Sequence, residues 1–271
     1  MPNFMFWNIR NRDLGSLVAA IAHRHDLDVL ILAEGGSISV AQFLRTLNRA
    51  PGDNYRFHYV EGQTRIQIYS RYPSKWVRKA LDAGGVSIRR LHLPWADDVT
   101  LVAVHLPSKL RWHSGEQQDY CCRVREYIDD VEGRFGHQRT IVVGDLNMNP
   151  FEHGIVSSEG LHATMSRHVA ARRKRTVAGE ERSFFYNPMW RHFGERDTPP
   201  GTYYYQHSTP LCYFWNMFDQ VLVRPVLLDA FPDDKLRILT SAGDTNLVDK
   251  RGRPDSRNVS DHLPIMFKLE M

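Results

Sequence analysis

The chain has no run of about 18 or more apolar residues, so nothing in it reads as a membrane-spanning helix. Its first residues lack the basic stretch, apolar segment and small-residue cleavage site of a secretory signal, and the expected setting is soluble and cytoplasmic. Cysteine is scarce: there are three in 271 residues, two of them adjacent at Cys121 and Cys122, with no CxxC or Cys/His spacing suited to zinc. An odd, unpatterned set excludes a disulfide framework and reads as reduced packing residues. GxGxxG, GxxxxGK[ST], GxSxG and HExxH are all missing, which removes the anchors for dinucleotide, P-loop, serine-hydrolase and zinc-protease readings. Internal repeats and low-complexity linkers are absent too. So is a strong charge of either sign, since 35 basic against 31 acidic residues leave +4, a mild preference for an anionic partner.

What the chain does have is enough apolar matter, 42%, to bury one large core, and an alternation of strand-like and helix-like segments. Phe4 to Asn8 reads as a strand. Asp13 can cap a helix whose Leu14, Leu17, Val18 and Ile21 form one stripe, and Val29 to Leu32 is then a buried strand ending at Glu34. Val40 to Leu47 and Ser114 to Phe135 read as further helices, with a short one near Glu152 to Ser157. Tyr55 to Val60, Arg65 to Ser70, Val86 to Leu93, Thr100 to His105 and Thr140 to Gly144 are β-branched and aromatic enough for strands. Later strands are expected near Thr202 to Gln206, Phe218 to Val223, Leu236 to Leu239 and Ile265 to Leu269. Ser166 to Pro200 and Ser241 to Asn258 read as surface excursions.

Acidic, amide and imidazole residues recur where these strands end. The ends are Trp7-Asn8-Ile9-Arg10, Ala33-Glu34, His105-Leu106-Pro107, Gly144-Asp145-Leu146-Asn147 and Ser260-Asp261-His262-Leu263-Pro264, and Phe218-Asp219-Gln220 opens a sixth strand. Strand ends suit chemistry because a rigid element holds the side chain while the loop stays open to a substrate. Taken singly, such an Asn or Glu is a turn former or a solvated charge, and such a His a hydrogen-bonded core residue. The ordered set is far more specific than any one of its members.

In this order, over essentially the whole chain, these residues resemble the endonuclease/exonuclease/phosphatase superfamily. The resemblance implies one domain over residues 1–271, an α/β (α+β) four-layer sandwich of two packed mixed sheets flanked by helices, and a divalent-metal-dependent phosphodiester hydrolase, most simply a nuclease. It implies Glu34 as principal ligand of Mg²⁺ or Mn²⁺, with Asn8 placing the ion or its water and Asp261 approaching it. Asp145 and Asn147 match the pair that orients the attacking water and holds a phosphate oxygen; on an extended segment, side chains two apart point the same way. His262 matches the histidine at the scissile phosphate, Asp219 the carboxylate that orients its ring, and His105 a histidine near the leaving group. Alternatives are hydrolysis of a lipid headgroup or small phosphate ester, and a catalytically silent binding member.

Departures narrow the branch. Ala33 stands where many members carry Gln, Arg10 suits phosphate contact as in deoxyribonuclease I, and no Trp-Cys-Asp-Arg element of the inositol phosphatases is present. Arg172-Arg173-Lys174-Arg175 is the most concentrated positive charge, followed by Phe184, Phe185, Tyr186 and Trp190. Two readings stay open for it: a face that grips the phosphates of a nucleic-acid partner while the aromatics stack bases, or a solvated loop. The aromatics from Tyr203 to Tyr205 and from Tyr213 to Trp215 are expected in the core rather than on such a face. Arg65 has two readings as well, a phosphate contact or a solvated charge.

Overall fold

The computed structural model describes residues 1–62, 65–194, 199–208 and 210–271. The chain runs β1 (Asn3–Asn8), α1 (Gly15–Arg24), β2 (Val29–Ala33), α2 (Val40–Leu47), β3 (Arg56–His58), β4 (Ile66–Ser70), β5 (Val77–Ala83), β6 (Val86–Leu91), β7 (Val99–His105), α3 (Ser114–Phe135) and β8 (Thr140–Asp145). It continues through α4 (His153–Val156), β9 (Ala163–Thr164), α5 (Arg167–Ala170), β10 (Lys174–Val177), β11 (Glu180–Ser183), β12 (Phe185–Tyr186), β13 (Tyr203–Tyr204), β14 (Trp215–Asn216) and β15 (Asp219–Val223). The last strands are β16 (Arg237–Ile238), β17 (Ser241–Ala242), β18 (Thr245–Asn246) and β19 (Ile265–Lys268). Among the described residues no helix is long and apolar enough to cross a membrane.

Period-2 alternation builds the layers. On β7, Val99, Leu101 and Ala103 join one apolar cluster while Val102 and Val104 join another, because successive strand side chains leave on opposite faces. On β8 the same split separates Ile141 and Val143 from Val142, and on β15 it separates Val221 and Val223 from Leu222. The first cluster is shared with Phe4, Phe6 and Ile31 of the other sheet; the second is closed by Cys121, Val124, Ile128 and Val131 at helical spacing on α3. Two mixed sheets thus pack face to face, with α1 and α2 on one outside and α3 and α4 on the other. One sheet has the order β16-β19-β1-β2-β4-β3 and the other β5-β6-β7-β8-β15-β12-β9. Chain ends meet in the first, where Asn3 pairs with Lys268.

Helices α2 and α3 have the expected bounds. Glu116 Oε2 accepts from the His113 backbone N–H at 2.7 Å to close the start of α3, and Gly136, with φ 68°, ends it. One strand was not anticipated, and one expectation fails. Strand β5 carries no clear sequence signal, because it is an edge strand with exposed Arg78 and Lys79 and a register shift between Lys79 and Leu81. Residues 166–200 are not wholly a surface excursion: Phe184, Phe185, Tyr186 and Met189 are buried, and β12 extends the second sheet.

That region is tied down by a buried cation. Arg224 donates from Nε to Glu132 Oε1 at 2.9 Å and from Nη2 to Asp129 Oδ1 and Glu132 Oε2, each at 3.1 Å, with its guanidinium 4.0 Å from the centre of the Phe185 ring. Removing one partner strands the other charge away from water, whereas replacing both leaves an apolar contact. Glu132→Ala is therefore expected to cost about 3–5 kcal/mol in denaturant unfolding, and the double change Glu132→Leu with Arg224→Met clearly less. Equal losses for the two proteins would show that the stranded charge is not the cause.

Candidate active site

Register brings the strand ends together. Each sheet has a parallel pair flanked by antiparallel neighbours: β1 with β2 between β19 and β4, and β7 with β8 between β6 and β15. Parallel strands finish on the same side, so Asn8 lies level with Ala33, one residue before Glu34, and His105 lies level with Asp145. Antiparallel β15 begins where β8 ends, which sets Asp219 against Asp145. The lead into β19 is pinned to β1, since Ser260 Oγ donates to Asn8 O at 2.7 Å and Trp7 Nε1 to His262 O at 2.9 Å.

The backbone here is held in conformations that ordinary residues seldom adopt. Among the described residues Arg10, Asn11, Glu34, Arg65 and Asn147 all have φ between 51° and 54°. Such non-glycine left-handed residues cost free energy and persist where surrounding structure holds them. Backbone bonds do so here: Glu34 N–H donates to Arg65 O, and Asn11 N–H to Glu34 O, both at 2.8 Å. Gly144 is required by close approach, for a Cβ there would lie 1.9 Å from Val104 O.

The side chains form a connected network. Asn8 Nδ2 donates to Asp145 Oδ2 at 2.9 Å, while Asn8 Oδ1 accepts from the Arg10 N–H at 3.0 Å. Asp145 Oδ1 accepts from the Asn147 N–H at 2.9 Å, and Asn147 Nδ2 donates to Leu106 O at 2.9 Å. The expected extended segment ends at Asp145: Asn147 converges on the site through a left-handed turn closed by the Asp145 carboxylate, not through strand alternation. His105 Nε2 stands 3.4 Å from Glu34 Oε1 and 3.9 Å from Asp145 Oδ2, between the two carboxylates. Asn11 Nδ2 donates to Glu34 Oε2 at 3.1 Å, and Asp261 Oδ2 lies 3.4 Å from Arg10 Nε.

Charge follows from these contacts. The hydrogen bond from His105 holds Glu34 below the ordinary carboxylate range against the opposing effect of its burial. His262 Nδ1 lies 2.8 Å from Asp219 Oδ2. Burial alone would push the His262 imidazolium down, but the Asp219 and Asp145 carboxylates outweigh it and raise it to about 10. Asp145, Asp219 and His262 converge closely enough to hold a cation, yet Asp219 is fully buried and committed to the ring. Glu34, held ionised by His105 and facing the cleft, also offers a hard oxygen that could hold a divalent cation.

These groups lie in a cleft of about 1020 Å³ that also takes in Arg10, Arg65, Lys109, Arg111, Tyr205 and Tyr213. Asn8, Arg10, Glu34, His105, Asp145, Asn147, Asp261 and His262 all line it, with Asp219 behind His262. Arg172, Arg173, Lys174 and Arg175 do not. Their hairpin is a separate two-stranded sheet that leads into β12, whose Tyr186 pairs with Val223 at the far end of β15, roughly 13 Å along the strand from Asp219. Lys174 pairs with Glu181, and Arg175 Nε donates to His162 Nε2 at 2.9 Å. The aromatic expectation also reverses. Phe185 is 1% exposed, whereas Tyr205, Tyr213 and Phe214 are 45%, 51% and 46% exposed. A run of aromatics with no apolar alternation partner was the available signal, but which run meets solvent is decided by packing. Lys109, Arg111 and Trp112, between β7 and α3, had no sequence signal at all.

A family model described as the endonuclease/exonuclease/phosphatase family matches residues 5–262. The chain belongs to that family. Its members are phosphoric ester hydrolases that generally depend on a divalent metal. Among curated proteins no sequence matches. Solved structures that share the fold include the 3′ phosphatase NExo from Neisseria bound to a product DNA hairpin (14% identity, TM-score 0.59) and an AP endonuclease from Archaeoglobus fulgidus (15%, 0.58), each matched over 100% of both chains. Truncated Caenorhabditis elegans TDP2 is 17% identical with TM-score 0.55, over 100% of this chain and 98% of that one.

The His262–Asp219 pair yields a titration test. In the metal-free protein, NMR of the His262 ring should show a midpoint near 10, and Asp219→Asn should lower it by about two pH units or more because burial remains while the main compensating charge is gone. The folded value lies above the unfolded 6.5, so the pair's contribution to stability is full below that pH and fades as pH rises toward about 10. The stability deficit of Asp219→Asn should shrink over the same window. A midpoint near the ordinary value in both proteins would remove the charge pairing described here.

Proposed function

We propose that this family member is a divalent-metal-dependent nuclease that cuts phosphodiester bonds in DNA or RNA by attack of water. The observation that supports this reading most is the make-up of the cleft, where the acid groups are bordered by Arg10, Arg65, Lys109 and Arg111 and by the exposed faces of Tyr205 and Tyr213. Cations suit flanking phosphates, and rings that reach solvent suit unstacked bases. The DNA hairpin bound to NExo is a property of that protein, and it makes nucleic acid the first substrate to test.

A phosphodiester gathers negative charge on the way to its transition state, so the site must offer cationic and hydrogen-bonding groups in place beforehand. Mg²⁺ or Mn²⁺ held by Glu34, with Asp261 alongside, would supply the Lewis acid for a phosphoryl oxygen. Asp145 accepts the proton of the attacking water; its Oδ2 is held in position by Asn8 Nδ2 and its Oδ1 by the Asn147 N–H. Asn8 thus acts chiefly by positioning Asp145. The His262 imidazolium, with Nε2 3.9 Å from Asp145 Oδ2 and kept cationic by Asp219, suits the negative charge that develops on the phosphoryl oxygens. Asn147 retains a second amide N–H for a phosphoryl oxygen, and His105 borders the Glu34 side, where a donor meets an oxygen leaving phosphorus.

With Mg²⁺ or Mn²⁺ the protein should shorten labelled DNA or RNA oligonucleotides, and EDTA should stop it. Asp145→Asn and His262→Ala should each lower turnover by about a hundredfold or more when assayed below their own melting temperatures, with His262→Ala also less stable because it strands the buried Asp219 carboxylate. Full activity in chelator, or turnover of sphingomyelin or an inositol phosphate with every nucleic acid left intact, would reject this assignment.

A further inference from the structure

A second basic cluster adjoins the cleft and has no part in the mechanism above. It is carried by the loop between β18 and β19, where residues 249–258 hold Lys250, Arg251, Arg253 and Arg257 around a depression of about 680 Å³. We propose that this loop, together with Arg12, is a phosphate-binding shelf that holds the sugar-phosphate backbone of a nucleic-acid strand on one side of the bond being cut. The proposal rests on the nuclease reading and specifies its substrate as a polyanion extending beyond the scissile bond.

Three features carry it. The first is unpaired charge. The acids of the loop are consumed within it: Asp249 accepts from the backbone N–H groups of Arg251 and Arg253, at 2.8 and 3.0 Å, and from Arg253 Nη2 at 2.7 Å. Asp255 accepts from the N–H groups of Arg257 and Asn258, at 3.2 and 3.0 Å, and from Asn258 Nδ2 at 2.9 Å. Lys250, Arg251 and Arg257 are exposed, and among the described residues no carboxylate pairs with them or with Arg12.

The second feature is continuity with the site. Arg12 donates from Nη1 to Arg257 O at 2.7 Å and from Nη2 to Ser256 O at 2.6 Å, and Arg10, which lines the cleft beside Asp261, donates from Nη1 to Ser256 O at 3.2 Å. The Arg253 guanidinium lies 5.1 Å from the ring centre of Tyr204, between the cleft residues Tyr203 and Tyr205. The third is order. Asp249 N–H donates to Arg253 O at 2.7 Å, Asp255 N–H to Leu247 O at 2.9 Å and Val259 N–H to Asp255 O at 2.8 Å, so the charges stand on a braced loop and binding need not order it. A single small phosphate is satisfied by one or two cations, whereas several unpaired cations in line with the cleft match a chain of phosphates.

The test is binding of a labelled single-stranded DNA of about 20 nucleotides in EDTA across a salt series, since each phosphate contact adds roughly 0.7 to the slope of log affinity against log salt. The triple change Lys250→Ala, Arg251→Ala, Arg257→Ala should flatten that slope by about two. Lys250→Ala alone should flatten it by about 0.7, which keeps the test open if the triple variant does not fold, and Arg251→Lys with Arg257→Lys should restore it because charge is preserved. Replacing Arg172, Arg173, Lys174 and Arg175 by Ala should leave the slope unchanged. Identical slopes for wild type and both alanine variants of the loop, or flattening by the hairpin variant alone, would overturn the shelf. Loop-dependent binding without cleavage would defeat the nuclease reading and keep the shelf; cleavage with identical slopes would do the reverse.

Discussion

Because β1 pairs with β2 and β7 with β8 in parallel, two strand ends in each sheet finish on one side, and stacking the sheets brings four of them to a common edge. Antiparallel neighbours then feed their first residues into the same place, Asp219 from β15 and His262 from the lead into β19. Every group of the site lies in a strand of this arrangement or within four residues of one. A one-residue slip at β8 would turn Asp145 to the opposite face of its sheet and carry Asn147 with it. The close approach at Gly144, which leaves no room for a Cβ, lies within that pairing.

Holding carboxylates so close together is unfavourable unless their charge is answered, and the site answers it locally. Asn8 and the Asn147 N–H donate to Asp145, Asn11 and His105 attend Glu34, and the buried Asp219 is matched by the cationic ring of His262. The left-handed residues at Arg10, Asn11, Glu34, Arg65 and Asn147 show the same balance in the backbone, since each is unfavourable alone and is sustained by the bonds around it. The site is therefore organised by the protein itself, and its convergent negative charge suits a divalent cation.

Positive charge is distributed according to position, not to concentration along the chain. The densest basic run, from Arg172 to Arg175, folds into a hairpin at the far end of β15 and spends part of its charge on Glu181 and His162. Residues scattered through the sequence, Arg10, Arg12, Arg65, Lys109 and Arg257 among them, come to the cleft or beside it. The aromatics divide in the same manner: Phe185 is sealed beneath Arg224, while Tyr205 and Tyr213 reach solvent in the cleft wall.

Sequence alone determined the long elements and the residue types at their ends. Apolar spacing marks α2 and α3 to the residue, β-branched runs mark β2, β7 and β8, and the ordered polar residues from Asn8 to His262 mark strand ends that line one cleft, because these signals are local and need no knowledge of neighbours. Strand β5 was illegible because an exposed, bulged edge strand has no apolar alternation, and β12 because two buried residues make too short a pattern. Only the tertiary structure decided that Asn147 reaches the site through a left-handed turn, that His105 stands between Glu34 and Asp145, and which basic and aromatic residues face the cleft. Those are questions of burial and of contact between distant segments, and a side chain's exposure depends on what packs against it, which no stretch of sequence specifies by itself.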